Sequence, residues 1–476
     1  MRRPVLSPRT IPIVAAFGAA TLLLNADPAT ARRPQEPVLI QVTHSSEGDI
    51  ERPQIRSEGG DTIVFVSDGD VMGNGTAPGH REVYLYDSLT GVITQVTTTP
   101  HPYESYGAAR ETDSDHSPRP RSVAFVSTGD LAPTASLDNS DHNPEIFLWL
   151  RETGNYVQLT DTQPPIVNDQ PFPSDSAKCI AFRSNADLDN NTGADDKNPG
   201  RRFNNIDGST EVFNMDFLQN DFSAAVITQI SNGPAGTTSS QPVVGGFWYT
   251  RQCRSSSYQS DHNQTGHPDN SGTHIYNYTR TSGRIEQSSI PGDGRNVNPH
   301  ISAASNFARG PFVIYETNMQ MMPQNPVIDP LSSEIMRFRY FRPELIQFTV
   351  DLSGQGLSSR RPSVSDGGAI VAFESENQHV DTRRRVKFGS PPFNEDGNTE
   401  IFRAKAVSRI WQITRSENCE NTHVSIRDNG FGLAFRSDCD LIPGGNPTGT
   451  PQVYHYFEIR KTDPLYTTAG CKIEDG

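Results

Sequence analysis

The sequence has no Cys-x-x-Cys pair and no cysteine–histidine spacing that would hold a structural zinc ion. It has no Gly-x-Ser-x-Gly elbow, so an α/β-hydrolase nucleophile is not expected. Hydrophobic residues make up only 34% of its 476 residues, too few for a membrane protein. Positive charge is also scarce. With 41 Lys and Arg against 56 Asp and Glu, the formal charge of −15 repels phosphate backbones and argues against a nucleic-acid partner. The one basic run, Arg383–Lys387, reads as a solvated loop.

The N-terminus carries an export pattern over residues 1–31: Arg2, Arg3 and Arg9, the apolar stretch Ile11–Leu24, then Ala29-Thr30-Ala31 as a small-x-small cleavage site. The apolar stretch is 14 residues, short of the ~20 a membrane-spanning helix needs. A periplasmic or secreted protein with no transmembrane segment after signal cleavage is expected, and a monomer.

Glycine (38) and proline (36) are plentiful, which suits many short strands joined by turns. An acidic or polar residue followed by alternating apolar positions recurs seven times, at Glu82–Asp87, Glu145–Leu150, Glu211–Asp216, His274–Thr279, Glu334–Arg339, Glu400–Lys405 and Gln452–Phe457. The starts lie 63, 66, 63, 60, 66 and 52 residues apart, which indicates one repeat architecture rather than several domains. Upstream of each copy stands a second apolar strand, for example Ile63–Ser67, Ile180–Ser184 and Val371–Ser375; in the fourth copy it is placed at Phe247–Thr250. Before that comes a segment marked by Arg52-Pro53, Gln170-Pro171, Gln241-Pro242, Asn298-Pro299 or Arg361-Pro362, with Tyr106–Arg110 and Thr422-His423 as the departures. A fourth strand follows six of the copies, and the missing one lies at the other end of the chain, at Leu39–Thr43. The expected fold is therefore all-β: a seven-bladed β-propeller of four-stranded blades over residues 38–460, closed by an N-terminal strand that completes the last blade, with 461–476 as a tail.

The recurring Pro-x-x-Ser, Ala-Phe-x-Ser-x-x-Asp-Leu, Glu-Ile-Phe and Thr-Gln-Leu/Val-Thr pieces resemble the TolB-type, WD40-like (PD40) propeller repeats of exported bacterial proteins. The resemblance covers about residues 38–460 and is specific for the repeat, not for an activity. TolB adds an N-terminal domain for which no room is seen before Leu39, so its envelope role is not expected to carry over.

If the first strand of each blade is innermost, Arg52, Gln170, Gln241, Asn298, Arg361 and His423 ring the channel mouth. They are the candidate ligand-binding residues for an extended peptide or a saccharide. The long Asp/Asn-rich second-to-third loops share that face. Asp138–Asp141 and Asp187–Asp196 offer oxygen ligands and leave calcium open, though these residues are also ordinary turn formers; no other cofactor and no metal site is indicated. Ser-Asp-His-Asn occurs at Ser140–Asn143 and Ser260–Asn263, read as corresponding loops of blades two and four. No catalytic residue is indicated. Binding of a protein or glycan partner is the expected function; a polysaccharide lyase or glycoside hydrolase acting in the mouth is the alternative. Cys419 and Cys439 fall on one face of blade seven and are a disulfide candidate. Cys253 stands at the corresponding position of blade four without an evident partner, and the pairing of Cys179, Cys253 and Cys471 is open.

Overall fold

The computed structural model describes residues 37–458, apart from stretches at 58–60, 74–78, 113–120, 134–136, 191–202, 218–221, 223–224, 246–252, 303–310, 320–331, 340–343, 350–354, 380–393 and 406–409. The export segment, the C-terminal tail with Cys471, the Arg383–Lys387 run and Phe247–Thr250 lie outside the described residues. Among those described there is no helix, and none that could cross a membrane.

Seven four-stranded antiparallel sheets form the ring. Blade one runs Ile50–Ser57, Asp61–Ser67, Glu82–Asp87, Val92–Gln95, and each later blade repeats that order. The exception is blade seven, where Val38–Gln41 pairs antiparallel with Gln452–Phe457, Leu39 opposite Tyr456. The ring closes as the repeat count predicts. First strands touch the first strands of neighbouring blades, so they are innermost.

Two devices explain why the repeat takes the form it does. An aromatic side chain of strand two stacks on one of strand three, as in Phe65–Tyr84 (5.6 Å), Phe125–Phe147 (5.9 Å) and Phe435–Tyr454 (5.7 Å). Each such side chain contributes about 1.5–3 kcal/mol by burial. The acidic residue that opens strand three is fully buried and binds strand four and the next blade together. Glu82 accepts from the Thr99 amide (2.6 Å) and hydroxyl (2.9 Å), and that hydroxyl meets Ser105 Oγ of blade two at 2.7 Å. Glu145 likewise accepts from Asn168 Nδ2 of blade three at 2.9 Å. In blade seven the position is held by the neutral amide of Gln452, which accepts from Thr43 Oγ1 (2.7 Å) and donates to the Ser45 carbonyl (2.6 Å). The closing segment is thus bound by the same position that joins the other blades.

Blade four differs from the sequence reading. Its second strand is Ser255–Ser260, not Phe247–Thr250. The run is serine-rich yet buried because its hydroxyls are satisfied: Ser255 and Ser257 donate to Asn277 Oδ1 at 3.0 and 3.1 Å, and Ser256 to Asn214 Oδ1 at 2.9 Å. Cys253 therefore precedes this strand, on the face opposite to the one expected, and it does have a partner. It is disulfide-bonded to Cys179 of blade three, with Cα atoms 5.3 Å apart. In blade two the paired part of the first strand is only Ser105–Tyr106.

Candidate functional site

The first strands begin at the mouth, and six of the seven carry a β-bulge two or three residues in, for example between Glu51 and Gln54 and between Arg360 and Ser363. The bulged residue adopts a left-handed backbone. It is Arg52 (φ 40°), Gln170 (52°), Gln241 (51°), Asn298 (54°), Arg361 (44°) or His423 (56°), and in blade two the equivalent residue is Gly107 (59°). Positive φ is uncommon outside glycine, and five of the six precede proline, which further restricts them. Backbone held in this region by its surroundings aims a side chain in a direction that an ordinary strand would not.

The surroundings that hold it are in the preceding blade. The Gln241 amide donates to Gln170 Oε1 (2.7 Å), the Asn298 amide to Gln259 Oε1 (3.0 Å) and the Arg361 amide to Glu316 Oε2 (3.0 Å). The His423 amide donates to Glu374 Oε1. Arg52, Gln241, Asn298, Arg361 and His423 line one solvent-open funnel. Gln170 is not among its lining residues; it supports Gln241 from behind.

Two guanidinium groups, Arg52 and Arg361, line the funnel, and the carboxyls of Glu316 and Glu374 bond to mouth residues behind it. Arg52 is exposed and has no hydrogen-bond or ion-pair partner among the described residues. Arg361 Nη1 bonds Glu374 Oε2 at 2.9 Å, and its side chain remains 46% exposed. Burial, reinforced by Arg361, Arg52 and Arg436, holds the His423 imidazole down to about 3, so it stays neutral. Burial pushes the Glu374 carboxyl up to about 7; its bonds to Arg361 and to the His423 amide offset part of that rise, and Glu316 adds to it. Sequence reasoning missed Gln259, Glu316 and Glu374. The signal was available: the penultimate position of strand two is Val66 and Val126 in blades one and two, but Gln259, Glu316 and Glu374 in blades four to six.

Below the funnel, side chains of non-adjacent blades meet. His300 of blade five lines the funnel and meets the Phe172 ring of blade three edge-on, 6.1 Å between centroids. The Arg110 guanidinium lies 5.7 Å from the Phe172 centroid. From blade two it bridges Asp175 of blade three (2.6 Å) and Asp428 of blade seven (3.2 Å). Arg56 joins them, 3.4 Å from Asp175. Asp366, whose amide donates to the Asp428 carbonyl at 2.9 Å, is pushed well above the usual carboxyl range by burial and by Asp428 and Asp175.

Among the described residues, the second-to-third loops turn several polar groups inward; residues 191–196 of the Asp187–Asp196 stretch lie outside the described residues. Asp440 accepts from the amides of Gly444, Gly445 and Asn446 at 2.8–3.0 Å. Asp187 accepts from the Asn205 amide at 3.3 Å and Asp138 from Ser140 Oγ at 2.8 Å. The two Ser-Asp-His-Asn segments are not structurally equivalent. Ser140–Asn143 leads into strand three of blade two, whereas Ser260 ends strand two of blade four. Cys419 and Cys439 are disulfide-bonded, Cα atoms 5.3 Å apart. The groups with metal-like clustering among the described residues are Cys179, Asp216, Cys253 and Cys419, Asp438, Cys439; both commit their cysteines to these disulfides.

No family model and no curated protein matches the sequence. Solved structures do match it in shape. An oligogalacturonate lyase from Vibrio parahaemolyticus aligns over 89% of this chain and 96% of its own, at 10% identity and a TM-score of 0.52. The chain shares its propeller fold. TolB from Acinetobacter baumannii aligns over 75% of this chain and 77% of its own, at 12% identity and a TM-score of 0.37. The β-propeller domain of the trilobed protease from Pyrococcus furiosus covers 88% and 99%, at 8% identity and 0.48. At such identities the likeness is one of fold, and activity must be argued from the site.

Proposed function

We propose that this propeller is an exported binding scaffold that takes a segment of a protein or glycan partner into its arginine-lined mouth. The observation that carries the reading is the convergence of Arg52, Gln241, Asn298, Arg361 and His423 on one funnel, four of these five having the backbone amide fixed by the neighbouring blade. Backbone held in place before the ligand arrives loses little entropy on binding, which favours affinity. Export is supported by the N-terminal pattern and by the two disulfides, which suit an oxidising compartment.

The enzymatic alternative, a lyase or glycoside hydrolase in the same mouth, has one supporting observation: Glu374 titrates near 7, in the range useful to a general acid or base. Against it, Glu374 is buried and occupied by Arg361 and the His423 amide. The test is retention of a partner from envelope extract by the mature protein and by an Arg52→Ala/Arg361→Ala variant. A partner retained by the wild type alone supports the reading. Equal retention by both removes the mouth from it, and depolymerisation of a polysaccharide that fails in Glu374→Gln would replace it with the enzymatic one.

A further inference from the structure

We infer that the funnel receives a chain end, and that its occupant is the C-terminal segment of a partner protein whose terminal carboxylate sits between Arg52 and Arg361. The inference rests on the binding reading above and narrows it.

Below the funnel His300 of blade five meets Phe172 of blade three, and Arg110 spans from blade two to blades three and seven, so side chains obstruct the channel there. A polymer cannot thread through and must enter by an end. The charge at the entrance selects an anion: Arg52 has no partner among the described residues, and Arg361 commits one nitrogen to Glu374 while its side chain stays 46% exposed. A guanidinium fork matches a planar carboxylate through paired N–H···O bonds. The remaining wall separates peptide from sugar. Gln54 and Gln241 offer amide donors and acceptors suited to an extended peptide backbone, Asn298 offers its Oδ1 while its Nδ2 bonds Glu316 Oε2 at 2.8 Å, and Pro299, Pro362 and Val424 offer an apolar face for a modest side chain. No phenylalanine, tyrosine or tryptophan lines the funnel, so an aromatic platform for a pyranose ring is not present among the described lining residues. Capture of a terminal carboxylate is an established mode of peptide recognition.

The experiment is affinity selection on the immobilised mature protein with three probes: an N-acetylated degenerate hexapeptide pool with free C-termini, the same pool amidated at the C-terminus, and a pool of short oligouronides. Both peptide pools carry the same aspartate and glutamate side chains, so their difference isolates the terminal carboxylate. The expected result is enrichment of the free-acid pool over the amidated one by about tenfold or more, as for loss of a charge-assisted bond. Arg52→Gln should abolish that enrichment with an unchanged unfolding temperature, because Arg52 is exposed and unpartnered. Equal retention of the two peptide pools overturns the inference, as does preferential retention of the oligouronides. If the envelope partner requires Arg52 and Arg361 while the free-acid pool gains nothing, the binding reading stands and this inference falls.

Discussion

The two ends of the propeller channel are built from the same strands and use charge in opposite ways. At the mouth, Arg52 is exposed and unpaired and Arg361 is half-exposed, with its single acidic partner behind it. At the far end, Arg56 and Arg110 are 5% and 11% exposed and are held among Asp175 and Asp428. The mouth residues sit on bulges that stop short of the axis and are fixed by backbone amides, leaving side chains free. The far-end residues reach across the axis and are fixed by one another. The same strands therefore leave a guanidinium unmatched at one end and bury matched charges at the other.

The largest expected effect comes from unmatching the far end. Arg110→Ala would leave Asp175 and Asp428 short of a buried counter-charge and should cost about 3–5 kcal/mol in urea unfolding; a loss below about 1 kcal/mol would mean that the network is not a closure at all. Next is the Cys419–Cys439 bridge, which spans a sequence separation of 20 residues. Replacing both cysteines by serine should cost about 2–4 kcal/mol by the same measurement.

A smaller, pH-dependent effect distinguishes the mouth. Glu374 faces Arg361, the His423 amide and Glu316, and titrates near 7, while the His423 ring stays neutral above about 3. An anionic ligand beside Arg361 disfavours the charged carboxylate, so binding should take up a proton and tighten as pH falls from 8 to 6. Glu374→Gln should flatten that dependence; an unchanged slope in the variant would exclude Glu374 as its source. The smallest effect is expected for Gln241→Gly, a change of under about 1 kcal/mol in stability. Release of positive-φ strain offsets the added chain entropy of glycine, and glycine is the native residue at the equivalent position 107.

Much of the fold was legible because each blade repeats a local pattern. The displaced fourth strand at Leu39 was enough to foresee closure, and five of the six residues expected at the mouth line one funnel, Gln170 standing behind it. What was not legible depends on contacts between distant blades. Arg110 and Asp428 lie 318 positions apart and share no spacing that would pair them. Blade four was misplaced because an apolar run at Phe247–Thr250 resembles a strand, whereas the actual strand hides its serines behind Asn214 and Asn277. One repeating signal went unread. Asn139, Asn205, Asn394 and Asn446 each stand six residues before strand three, and each donates its side-chain amide to carbonyls on both sides of the long loop, as Asn205 does to Ala186 and Ser209 at 3.2 and 2.8 Å. These loops are thus stitched from within.

The most direct test compares Arg52→Ala and Arg110→Ala in parallel for partner retention and for unfolding. The account predicts that Arg52→Ala loses the partner with unfolding unchanged, while Arg110→Ala unfolds more readily yet retains the partner in its folded fraction. Retention by Arg52→Ala together with loss in folded Arg110→Ala would place the site at the wrong end of the channel and contradict it.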